Sequence, residues 1–172
     1  RVSANIFYDG RDRIGVTRPV AVTRYGWDIG PATLLAGSVE VYDTSTHGQQ
    51  YRLPIGTNIV TDSAAFEWVL LSVMPTRTST TIVVDFDSNG VADLTTNVAV
   101  GATLTLTNRV LAGTTITSSA PVQVQMLTGD IGSNYECRWY TIPPTESWSS
   151  EYFNPVASQT ASDGAMHVVL FN

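Results

Sequence analysis

Apolar and polar residues alternate along this chain in short runs, each ended by Gly, Pro, Asn or Asp. Alternation with period two marks a half-buried β-strand, because successive side chains point to opposite faces. The clearest run is Val122-Gln123-Val124-Gln125-Met126, which places Val122, Val124 and Met126 on one face and the two glutamines on the other. Ser118-Ser119-Ala120-Pro121 before it reads as a turn that fixes the strand start, since proline brings no N–H to a ladder.

The same pattern predicts strands over 2–8, 19–25, 37–42, 80–86, 91–95, 102–107, 114–117, 135–142 and 165–171. Phe66 to Val73 is almost continuously apolar and reads as a buried central strand, with a helix as the alternative. Asp87-Ser88-Asn89-Gly90 lies between β-branched runs, and Asn-Gly is the strongest short hairpin signal. Asp43 to Asn58 is polar and turn-rich, broken only by Tyr51-Arg52-Leu53, and is expected to run over the surface. About eleven short strands follow, spaced as in an all-β antiparallel β-sandwich, with closure into a barrel as the variant. Val69, Leu71, Leu104, Leu106, Val122 and Val124 are the expected core. Both ends, Arg1 to Phe7 and Met166 to Asn172, read as strands, so the single module 1–172 is expected to be a mature piece or an excised fragment.

Composition narrows the partners. The 172 residues are 43% hydrophobic, enough for one core without staples. The net charge is −6 and the basic residues are nine scattered arginines, with no lysine. Nucleic acid and anionic membranes both require clustered cations, so neither is an expected partner. The single cysteine, Cys137, excludes an intrachain disulfide and reads as a buried thiol. No apolar run approaches the roughly 20 residues of a membrane-spanning helix.

Two stretches offer chemistry. Asp85, Asp87, Asn89 and Asp93 have the oxygen spacing of a calcium loop around Gly90, which makes calcium the candidate cofactor. Thr96 stands where an EF-hand carries a bidentate Glu, so an acidic β-hairpin without metal is the competing reading. Trp148, Tyr152 and Phe153 concentrate aromatics in the polar loop Pro143–Gly164, where they would meet a protein partner or stack on a glycan, or else plug one end of the sandwich. His47 and His167 lack ligand-spaced neighbours, and no Gly-x-Ser-x-Gly elbow is present. Glu146, Glu151, Asp130 and Asp163 read as solvated acids rather than a glycosidase pair.

Several motifs act together. They are 7–15 (Phe-Tyr-Asp-Gly-Arg-Asp-Arg-Ile-Gly), 35–41 (Leu-Ala-Gly-Ser-Val-Glu-Val), and Ala112 through Pro144, within which Ser119-Ala120-Pro121-Val122-Gln123-Val124, Thr128-Gly129-Asp130 and Arg138-Trp139-Tyr140 are the most specific. Together they resemble secreted microbial surface modules related to the N-terminal domain of IgGFc-binding proteins. The resemblance implies an extracellular, cell-surface β-module of a multi-module parent, and it supplies no catalytic residues. Immunoglobulin binding does not follow from it. The expected function is therefore non-enzymatic: a structural or adhesive module contacting other protein modules or copies of itself, with a filament as one form of the self-assembly. The alternative is a carbohydrate-binding module using the loop around Trp148, assisted by calcium.

Overall fold

The computed structural model describes residues 14–27, 36–59, 66–107, 109–129 and 137–152. The strands expected over 2–8 and 165–171 lie outside the described residues, as do His167, Asp130, Asp163 and Phe153. The fold is all-β and antiparallel, with a nearly closed, barrel-like main sheet.

Nine strands are described: β1 (Thr23–Trp27), β2 (Ala36–Glu40), β3 (Gly48–Arg52), β4 (Trp68–Pro75), β5 (Thr80–Asp85), β6 (Leu94–Val98), β7 (Leu104–Leu106), β8 (Thr115–Gly129) and β9 (Cys137–Thr141). At 15 residues, β8 is the spine. β5 and then β4 pair along one of its edges, opposite residues 115–118 and 122–129 respectively. β3 and then β9 pair along the other. β6 extends the sheet beyond β5, and β7 beyond β4. β1 and β2 form a separate two-stranded ribbon, tied to β9 where the Thr141 hydroxyl donates to the Glu40 carbonyl at 2.8 Å.

The expected turn at 118–121 is instead the middle of β8. Between Ser118 and Val122 the spine changes partner on one edge, from β5 to β4, and crosses a register shift against β3 on the other. Residues 119–121 therefore have no Cα partner in either ladder. A proline costs nothing where no ladder asks for its missing N–H. Ser119 helps there with its side chain, whose hydroxyl accepts the Thr81 amide at 3.0 Å.

Alternation survives the change of partners. Ile116, Val122, Val124 and Met126 of β8 all face one core with Val69, Leu71 and Val73 of β4 and Ile82 and Val84 of β5. Each such side chain, fully buried, contributes roughly 1.5–3 kcal/mol. Leu104 and Leu106 pack against this core but are only half-buried, because β7 is a three-residue outer strand. The surface path expected for 43–58 is corrected more sharply. Residues 48–52 form β3, and Tyr51 and Leu53 are 2% and 0% exposed. Gln49 and Gln50 face out and give the segment its polar look.

Candidate functional site

The acidic hairpin forms as expected: β5 and β6 pair antiparallel, with Ser88 at φ 57° and Gly90 at φ 85°. Asp85, Asp87 and Asp93 are brought together, one carboxylate oxygen from each lying within 4.8 Å of the others. Every carboxylate oxygen also has an internal partner. Asp85 accepts the Asn89 amide at 3.3 Å and the Gly90 amide at 2.8 Å. Asp87 accepts the Asn89 amide at 3.2 Å and its side-chain NH2 at 3.0 Å. Asp93 accepts the Phe86 amide at 2.8 Å and the Arg109 guanidinium at 3.2 Å. The Asn89 side-chain oxygen is taken by the Val91 amide at 2.8 Å. Burial raises the Asp85 carboxyl, but hydrogen bonds, led by those of the Gly90 and Asn89 amides, together outweigh it and hold its pKa below the ordinary value. The loop is docked by the Ser88 hydroxyl on the Gly113 carbonyl and by the Thr114 hydroxyl on the Phe86 carbonyl. Charge, spacing and convergence fit a hard cation; the same oxygens also suffice to close the turn without one.

The second region is built from β3 and the segment 143–148. In a regular strand successive N–H groups point to opposite edges. The register shift between Gly48 and Gln50 breaks that rule, and the amides of Gln49 and Gln50 both donate to one oxygen of Glu146, at 2.9 and 3.1 Å. Glu146 sits in a short 3-10 turn, Thr145–Ser147, closed by the Ser147 amide on the Pro144 carbonyl and the Trp148 amide on the Thr145 carbonyl. The Thr145 hydroxyl adds a bond to the Gln50 carbonyl at 3.3 Å. Gly48 is required beneath this latch, because a Cβ there would lie 2.3 Å from Pro144 Cβ. The Gly48 amide is satisfied by the buried Tyr51 hydroxyl, which donates in turn to the Val122 carbonyl.

The latch ends at Trp148, which is 37% exposed; Tyr152 beyond it is 71% exposed, with the Ser149 amide donating to its hydroxyl at 2.7 Å. Neither ring plugs the core. Beside the latch, the loop 42–48 and the segment 143–147 enclose an open groove of about 410 Å³. Tyr42, 45% exposed, is its aromatic wall, and Glu146 its formally charged residue. His47 lines both this groove and a neighbouring cavity of about 10 Å³. Its Nδ1 lies 3.3 Å from the Thr76 hydroxyl, and its Nε2 is buried without a hydrogen-bond partner among the described residues. Desolvation pushes the imidazole pKa down, against a smaller opposing pull from Asp43.

Sequence reasoning picked out the aromatics and set His47 aside for want of ligand-spaced neighbours, but missed Tyr42 and the role of Glu146, which lies 97 residues from Gln49. No local signal connects them; a bulge is invisible in a five-residue strand. Compared with known proteins, the chain matches no family model, no curated protein and no solved structure.

Proposed function

We propose that this chain is a non-enzymatic extracellular module that contacts other protein modules, or copies of itself, at a cell surface. The observation that carries the reading is the presentation of Trp148 and Tyr152: exposed aromatics on a segment pinned to the sheet by Glu146. Aromatic anchors that are ordered before binding lose little conformational entropy when they dock. The motif resemblance to secreted surface modules of the IgGFc-binding type supports placing this work outside the cell. The net charge of −6 and the absence of lysine argue against nucleic acid.

Light scattering across a concentration series is the test, on the wild type and on Trp148→Ala/Tyr152→Ala. Mass that grows with concentration only in the wild type supports contacts between copies. A concentration-independent monomer ends that version and leaves other modules as partners. The groove beside the aromatics favours the second reading, carbohydrate binding. Saturable binding on a glycan array, lost in Trp148→Ala, would establish it over the first.

A further inference from the structure

We propose that the groove between residues 42–48 and 143–147 receives a lysine or arginine side chain from an extended basic segment of a partner protein. The inference rests on the reading of this face as a protein-contact surface, and it names the chemistry of the partner. Three observations carry it. Tyr42 presents an exposed ring to the groove, and a cation over such a face is attracted by the ring quadrupole. Glu146 supplies the opposite charge. One of its oxygens holds the two β3 amides, and the other has, among the described residues, only a 3.5 Å contact with the Thr145 hydroxyl, so it keeps acceptor capacity toward a charged donor. Pro143 and Pro144 form a wall whose backbone has little freedom to lose on binding.

The surrounding charges agree. Asp43 stands on the same loop and offsets Arg77, whose guanidinium donates to the Thr44 carbonyl. Desolvation pushes the His47 pKa down and so disfavours a cation in the lining. The chain as a whole is anionic, which steers basic partners toward it. The groove's volume of about 410 Å³ exceeds one side chain and accommodates the flanking backbone of an extended segment.

The experiment is a titration followed by amide chemical shifts, using an acetylated, amidated Gly-Arg-Gly-Arg-Gly peptide. The same sequence with Gln for Arg is the neutral control, and a linear oligosaccharide forms a third arm. The arginine peptide should bind saturably, shift the amides of residues 42–48 and 143–147, and weaken as salt rises. Tyr42→Ala, which leaves the latch untouched, should weaken it about three- to tenfold. Glu146→Gln keeps a carbonyl oxygen for the β3 amides and should weaken binding and flatten its salt dependence. Equal binding of the neutral peptide, no saturable binding, or shifts at these residues from the oligosaccharide alone would overturn the proposal. Trp148→Ala separates the two claims. If the peptide fails but Trp148-dependent assembly persists, the groove assignment falls and the contact-surface reading stands.

Discussion

The acidic hairpin and the Glu146 latch solve the same problem at different ranges. Each uses carboxylates to satisfy backbone amides that no ladder reaches. In the hairpin, Asp85 and the amide of Gly90 are five residues apart; in the latch, Glu146 and the amide of Gln49 are 97 apart. The first is closed almost entirely within residues 85–93, with Arg109 adding one contact to Asp93 from 16 residues away. The second exists only when the whole sheet has brought β3 and the 3-10 turn together. A local carboxylate cluster therefore reports its own loop, whereas a long-range one reports the fold and holds a recognition surface in place.

The broadest way to break the contrast is to remove the frame beneath both regions. Val124 is 1% exposed, and Val124→Asp would bury an unpaired charge. The expected loss is on the order of 4 kcal/mol, with both regions lost in one cooperative transition in chemical denaturation. Retention of either region's native amide shifts after that loss would show it to be independent of the sheet.

Gly48→Val separates the regions. Its Cβ would meet Pro144 Cβ at 2.3 Å, so the latch must move, at a cost of about 1–3 kcal/mol. Trp148 fluorescence should change while the amide shifts of 85–93 stay in place. Glu146→Ala is the milder version. It leaves two amides on the outer edge of β3 to water, and about 1–2 kcal/mol should be lost by denaturant titration.

Acid should sharpen the contrast, because His47 beside the latch titrates apart from the carboxylates. His47 has its folded pKa depressed below 6.5, so the unfolded chain binds more protons in that window. The stability it contributes is present above 6.5 and is lost as the pH falls toward the depressed value. Asp85, held below 3.8, contributes above that value and fails only under stronger acid, as does Asp43, lowered by its Ser45 hydrogen bonds. Melting temperature against pH should therefore decline in two stages, and His47→Gln should delete only the upper one. The smallest effect is expected from calcium. With its oxygens already engaged, the hairpin should melt at the same temperature in millimolar calcium as in chelator. A calcium-dependent rise lost in Asp87→Ala would show that Asp85, Asp87, Asn89 and Asp93 converge on the ion.

What was legible in the sequence follows the same divide between local and distant. The run Phe66 to Val73 and the Asn-Gly turn carried their own signals, and β4 and the β5–β6 hairpin stand where those signals pointed. The alternation of Val122, Val124 and Met126 gave the buried face of β8 correctly. Pro121 misled, because proline is read as a strand boundary and here it marks a change of partners within one strand. Tyr51 was hidden by outward-facing Gln49 and Gln50, and the latch by its sequence distance. Periodicity records which face a residue turns to the core; it does not record which strand lies alongside.

The four-partner spine also sets the order of events during synthesis. β3, β4 and β5 all complete their pairing on β8, and β8 ends at Gly129. On a ribosome, the β5–β6 hairpin can close as soon as it emerges, since its strands are neighbours. β3 and β4 must wait for residues 115–129, tens of positions later, with Leu53 and Val69 among the side chains that burial has yet to cover. Until that length is exported the nascent chain carries unpaired edges, the state in which partner capture and aggregation compete with folding. Among the described strands, β3, β4 and β5 thus depend on one late segment to complete their pairing.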